Sequence, residues 1–246
     1  TLNSLYELRG NFTIISNILS SQIELLFRSW FIDFDPVKAK VDGKLQYGMD
    51  EETAALFPDA LEDSELGPIP VGWEISKLTN IAKVTMGTSP KGETYCNLDE
   101  GVMPLLNGAA DFDGQNLTPN QDTTAPTTIA KALDFVFCIR ATIGNLTIAD
   151  RDYCIGRCVA SAREINAFDR TFLYCNIGYL LRTWKWNAIG SVIVGVSGPE
   201  VKNSSIVLPP QSIRRAFEKA VKEQMKLIDI LHDSQASLST CRDVLL

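Results

Sequence analysis

QSIRRAFEKAVKEQMKLIDILHDSQASLSTCRDVLL, residues Gln211 to Leu246, sets Ile213, Phe217, Ala220, Gln224, Leu227, Leu231, Ser234, Leu238, Cys241 and Leu245 at alternating steps of four and three. Such a heptad seam predicts a helix about 50 Å long that buries one side against a second helix. Gln224 and Ser234 are its polar members, of the kind that fixes register at some cost in stability. Pro209-Pro210 marks where it starts.

A partner for that seam stands at the other end of the chain. Leu8, Phe12, Ile15, Leu19, Ile23, Leu26, Trp30 and Phe34 recur every three or four residues, which is helical periodicity. The helix would be roughly 40 Å long, and Asp33-Phe34-Asp35-Pro36 ends it because a residue before proline is pushed out of the helical region. Two terminal helices with one apolar stripe each bury those stripes most simply on one another. Between them, residues 36–66 hold the turn formers Asp42-Gly43, Tyr47-Gly48 and Phe57-Pro58, with one or two helical turns at Glu51 to Leu56. From Gly67-Pro68-Ile69-Pro70-Val71-Gly72-Trp73 onward, short apolar runs alternate with Gly, Asn, Asp and Pro. Strands are predicted at Ile81 to Met86, Val102 to Leu106, Phe135 to Arg140, Leu146 to Ala149, Val192 to Val196 and Ser205 to Leu208. A helix is predicted from Arg170 to Thr183, with Phe172, Leu173, Cys175, Asn176, Tyr179 and Leu180 on one side. The fold class expected is α+β. One mixed α/β domain (67–208) stands between a helix with its linker (1–35 and 36–66) and a second helix (209–246), the two helices packed as an antiparallel coiled coil.

A chain of 246 residues with 45% apolar and 22% charged residues is an ordinary globular protein with a sizeable core. Phe135 to Ile139, its best apolar run, is far too short to cross a bilayer, and Thr1-Leu2-Asn3-Ser4 lacks the basic start of a signal peptide. A cytoplasmic location is expected. The net charge of −7 argues against coating nucleic acid through bulk electrostatics. It leaves room for a reader whose basic residues share one face. Six scattered cysteines read as reduced, mostly buried thiols. Cys154 and Cys158 have a spacing zinc could use, but no second pair and no nearby His completes four ligands. No metal and no cofactor is expected.

Catalytic motifs are missing as well. The Asn/Asp-Pro-Pro-Tyr/Phe pocket of base methylation is matched only superficially by Leu208-Pro209-Pro210-Gln211, and Gly87-Thr88-Ser89-Pro90-Lys91-Gly92 has the wrong spacing for a phosphate-cradling P-loop. His232, the single histidine, lies among Asp229, Leu231 and Asp233 on a solvated helix face, and Asp33 and Asp35 read as a helix exit. The polar and basic residues of the middle domain instead fit contact with double-stranded DNA. Lys91 follows a turn whose backbone and hydroxyls suit phosphate. Arg140 can fork onto guanine and Thr142 can touch a thymine methyl. Asn107, Arg157, Lys185, Asn187 and Lys202 complete the candidate set, with Arg151 adding positive charge.

The runs Leu26-Phe27-Arg28-Ser29-Trp30-Phe31-Ile32-Asp33-Phe34-Asp35-Pro36-Val37-Lys38-Ala39-Lys40, Ala55-Leu56-Phe57-Pro58, Asp63 to Trp73, Arg140-Ala141-Thr142-Ile143-Gly144 and Leu208-Pro209-Pro210, in this order, resemble the specificity (S) subunits of type I restriction-modification enzymes. The resemblance covers nearly the whole chain. It implies recognition domains that each read half of a bipartite target, separated by helices that space the half-sites and dock methyltransferase (M) subunits, with a restriction (R) subunit able to join. Phe27, Trp30, Phe217, Leu227, Leu231 and Leu238 are the helix positions expected to meet a partner. This chain holds one recognition domain. It is therefore expected to be the second half of a longer subunit, or a half-length subunit that pairs with a second copy. A competing reading makes it a non-DNA-reading interaction or inhibitor protein that occupies the same complex.

Overall fold

The computed structural model describes residues 2–114, 116–140, 142–188 and 195–245; in the two terminal helices it describes the side chains of residues 8, 10–31, 211–231 and 234. The chain forms two compact units, one from Thr1–Glu74 with Val207–Leu246 and one from Ile75–Ile206.

In the first unit, helices span Leu2–Phe31 and Gln211–Leu245. Phe217, fully buried, is where they meet. Its ring centroid lies 5.1 Å from Phe31, 5.8 Å from Trp30 and 6.2 Å from Phe27, each edge-to-face, the arrangement that ring quadrupoles favour. Phe57 extends the cluster onto Trp30 at 5.2 Å, and Trp73 packs on Phe31 at 6.0 Å and on Phe34 at 5.7 Å. The expected stop at Asp33 to Pro36 is observed. Phe34 adopts a left-handed conformation (φ 56°) and the chain restarts as a short helix, Asp35–Val41, with Pro36 in its first turn, where a missing N–H costs nothing. Lys40 Nζ donates to the Phe57 carbonyl at 2.6 Å, and Asp50 caps a further short helix, Glu51–Ala55.

The seam is shifted from the one read in the sequence. Ala220 is exposed and Leu227 is 41% exposed, whereas Val221 and Ile228 are buried beside Ile213, Phe217 and Leu231. An α-helix drifts by about 20° per heptad against a 3.5-residue repeat. Two adjacent apolar rows were thus available, and the one with the larger β-branched side chains faces inward. The side chains of Leu238 and Cys241 lie outside the described residues. In the first helix, Ile23 and Trp30 are buried as expected, but Leu8 and Ile15 remain 40% and 41% exposed.

The second unit holds two main sheets. One orders its strands Leu146–Ile148, Phe135–Cys138, Val159–Glu164 and Ala82–Met86, all antiparallel. The other orders Ile129–Ala130, Tyr153–Ile155, Met103–Leu106, Gln121–Thr123 and Tyr95–Cys96, and its Tyr153–Ile155 and Met103–Leu106 strands run parallel. Four predicted strands appear within a residue or two of their expected limits, and Ser205–Leu208 as expected. Val192 to Val194 lie outside the described residues. Val159–Glu164 and Tyr153–Ile155 were not expected. Both are buried along most of their length and therefore lack the alternation that marks a half-buried strand. The helix predicted to end at Thr183 continues to Asn187; it buries Phe172, Leu173, Ile177, Leu180 and Leu181, while Tyr179 stays 39% exposed.

Candidate nucleic-acid interface

Strand register decides which loops of the Ile75–Ile206 unit meet. In the four-stranded sheet Met86 faces Ala160, Cys138 faces Val159 and Leu146 faces Phe137. The turns after Met86 and after Cys138, and the one before Val159, therefore emerge at the same end. In the other sheet, Leu106 and Ile155 lie side by side in parallel strands. Asn107 and Gly156 consequently leave their strands together, and the Gly156 N–H donates to the Leu106 carbonyl at 2.8 Å. The turn Gly156-Arg157-Cys158 then joins one sheet to the other and delivers both sets of loops to one place.

Close backbone contacts hold these loops. Gly87 N–H donates to Val159 O and Thr88 N–H to Ile155 O, both at 3.0 Å. Arg157 N–H donates to Ser89 Oγ at 3.2 Å, Ile139 N–H to Cys158 O at 2.9 Å, and Thr127 Oγ1 to Thr88 O. Asp111, buried, accepts from the backbone N–H groups of Asn107 (2.7 Å) and Gly108 (3.0 Å) and from Asn120 Nδ2 (3.3 Å). Its charge is spent on holding the Asn107 loop.

Of the residues predicted to contact DNA, Lys91, Asn107, Arg140, Thr142 and Arg157 lie on this assembly of loops, and Lys185 approaches it from the helix Arg170–Asn187. Arg140 is exposed beside Gly195, its backbone bridged to that residue, and Thr142 is exposed two residues on. The Lys185 chain runs past Gly144, where a β-carbon would stand 3.9 Å from its Cδ. Asn187, also exposed, is two residues further along the same helix, about 200° around its axis. Lys202 is not brought to the group. It ends the short helix Gly198–Lys202, and the nearby Ser204 carbonyl accepts from Leu78 N–H, ahead of the Ala82–Met86 strand and so at its far end. Tyr95, Asp111 and Gly156 had no signal in the sequence, because their roles depend on strand pairing.

Toward the end away from these loops Arg163 is paired with Asp134, Arg170 with Glu164 at 3.1 Å and Lys131 with Asp152 at 2.7 Å, whereas Lys77, Lys83 and Lys202 make no ion pair among the described residues. The Arg170 guanidinium also lies 4.7 Å from the Phe135 ring centroid. At the loop end, Arg140, Arg157 and Lys185 make no ion pair among the described residues, and Lys91 has only a loose one, 3.9 Å from Glu93 with both side chains largely exposed. Exposed ion pairs of that kind hold little energy. Burial pushes the Cys138 thiol up to about 12, so it stays protonated and unreactive.

Residues 70–240 match the family described as the type I restriction modification DNA specificity domain. The chain belongs to this family. The MjaX specificity subunit of Methanocaldococcus jannaschii, described as part of a type I restriction enzyme, is 30% identical over 174 residues, 70% of this chain and 41% of that protein. The type I restriction enzyme MjaIX specificity subunit of the same organism is 24% identical over 237 residues, 90% of this chain and 49% of its own length. This member of the specificity-domain family thus spans about half the length of the curated relatives it matches. In fold it is similar to the HsdS subunit from Thermoanaerobacter tengcongensis (TM-score 0.56, 21% identity, 97% of this chain and 54% of that one). It is also similar to the type I restriction-modification S subunit from M. genitalium (TM-score 0.51, 15% identity, 98% and 58%).

Proposed function

We propose that this chain is a DNA-reading specificity subunit of a type I restriction-modification complex and has no catalytic chemistry of its own. The domain at 67–208 reads one half of a bipartite duplex target. The helices at 1–35 and 209–246, linked through 36–66, form an antiparallel coiled coil that docks M subunits and, through them, an R subunit. A second copy, or a second recognition domain in a longer chain, supplies the other half-site. The work is cytoplasmic, where the DNA is.

One observation carries this reading: strand register brings Arg140 and Arg157, and the helix Arg170–Asn187 brings Lys185, none with an ion pair among the described residues, to one end of the unit together with the Asn107 amide and the Ser89 and Thr142 hydroxyls. Phosphates need unmatched cations, and base edges need short polar groups on a rigid frame. The net charge of −7 is compatible with this, because binding depends on where the charges sit. Lys91, Asn107, Arg140, Thr142, Arg157 and Lys185 would face DNA, with Asn187 at the margin and Lys202 outside the group. On the helices, Phe27, Trp30, Phe217 and Leu231 are buried, and exposed Leu227 borders the surface offered to a partner; the side chain of Leu238 lies outside the described residues.

Methylome sequencing of a host producing the chain with M subunits tests the proposal. A bipartite motif is expected, and exchanging residues 75–206 for those of a relative should rewrite one half or, in a symmetric pair, both. A motif indifferent to that exchange would overturn it. Assembly with M subunits but no DNA binding at low salt would instead favour the inhibitor reading.

A further inference from the structure

We infer that Gly156 sets the orientation of the Asn107 amide and Tyr95 holds its oxygen there, so that Asn107 meets DNA as a hydrogen-bond donor and selects guanine over adenine. This rests on the DNA-reading function proposed above. Gly156 decides which end of the amide faces it, Tyr95 then engages that end, and Asp111 holds the backbone. The Tyr95 hydroxyl donates to Asn107 Oδ1 at 3.4 Å. Oδ1 also lies over Gly156, 2.7 Å from where a β-carbon on that residue would stand, and so against its Cα–H. A carbonyl oxygen is tolerated against C–H, whereas an NH2 turned the same way would press its hydrogens onto it. The backbone behind is pinned by Asp111, which takes the N–H groups of both Asn107 and Gly108.

Asn107 Nδ2 makes no hydrogen bond among the described residues, and the side chain is half-buried on a rigid turn next to Arg157 and Ser89. A free Asn or Gln amide reads adenine with both of its ends, the oxygen accepting from N6 and the nitrogen donating to N7. Here the oxygen is engaged. The two remaining N–H donors suit the O6 and N7 acceptors of guanine, and the amino group of adenine opposes them. Gly156 belongs to the same device, since any side chain there would displace the amide.

The test selects binders from a randomised duplex library with the full chain co-expressed with M subunits, comparing wild type, Asn107→Asp and Tyr95→Phe. Wild type is expected to hold one guanine position that Asn107→Asp moves toward bases presenting a donor. Tyr95→Phe should lower the guanine-over-adenine ratio at that position alone by about fivefold, the worth of one hydrogen bond, with affinity for random duplex unchanged. A merely structural role for Tyr95 would weaken binding at all positions together. A selective complex whose preferences ignore Tyr95→Phe, or that takes adenine at the position Asn107→Asp alters, overturns the inference alone. A complex without sequence preference overturns the DNA-reading function and this inference with it.

Discussion

Gly87 and Gly156 approach so closely that a β-carbon on Gly87 would stand 2.2 Å from the Gly156 carbonyl oxygen, with the Val159 and Ile155 carbonyls at 2.6 and 2.8 Å. Two turns from different sheets are pressed together backbone to backbone, and the candidate DNA-facing residues extend from that junction. Gly87→Ala should therefore force the turns apart and cost about 1–3 kcal/mol, read as a lower denaturant midpoint. Gly92→Ala, with nothing within 4 Å of its added carbon, should stay within about 0.5 kcal/mol of wild type.

Removing charge from the loop end should separate base contacts from phosphate contacts. Arg140→Ala is expected to weaken binding to the cognate half-site by about 1–3 kcal/mol with little effect on random duplex. Lys91→Ala and Arg157→Ala should weaken both and flatten the salt dependence by about 0.9 each. Fluorescence anisotropy across a salt series distinguishes the two patterns. Equal losses on both DNAs for Arg140→Ala would make it a phosphate contact.

The shifted seam makes its own prediction about the helix pair. Phe217→Ala should cost about 3–5 kcal/mol, because it empties a fully buried ring site, and Val221→Ala about 2 kcal/mol. Leu227→Ala should cost under about 1 kcal/mol in thermal unfolding. Under the coiled-coil docking proposed above, it would loosen association with M subunits or a second copy instead, which sedimentation would detect.

Acid stability should respond to Asp152. The Lys131 side chain, then the Ala132 N–H, hold its carboxyl below the usual aspartate range. A depressed folded-state pKa contributes stability that is complete above the unfolded value, about 3.9, and is lost as pH falls through the folded one. Asp152→Asn should therefore flatten the stability profile below about pH 4 and leave its shape near neutrality unchanged, as urea titrations across pH would record.

Legibility followed the range of the interactions. The terminal helices and the break at Asp33 to Pro36 were readable because helices are closed by bonds between residues four apart and proline acts on its immediate neighbour. Lys91, Arg140 and Arg157 were readable as residue types suited to DNA, but nothing local indicated that they share one end of a domain.

The sequence by itself determined where the two terminal helices and the Arg170 helix form, which positions along them are apolar, and the side-chain chemistry available for reading DNA. Tertiary structure decided the rest. It chose Val221 and Ile228 over Ala220 and Leu227, because only packing around Phe217 breaks the tie between two adjacent apolar rows. It also placed Asn107 beside Gly156, because parallel pairing of Met103–Leu106 with Tyr153–Ile155 joins segments distant in the chain. Pairing at that separation is set by the burial of whole strands, and no short stretch of sequence records it.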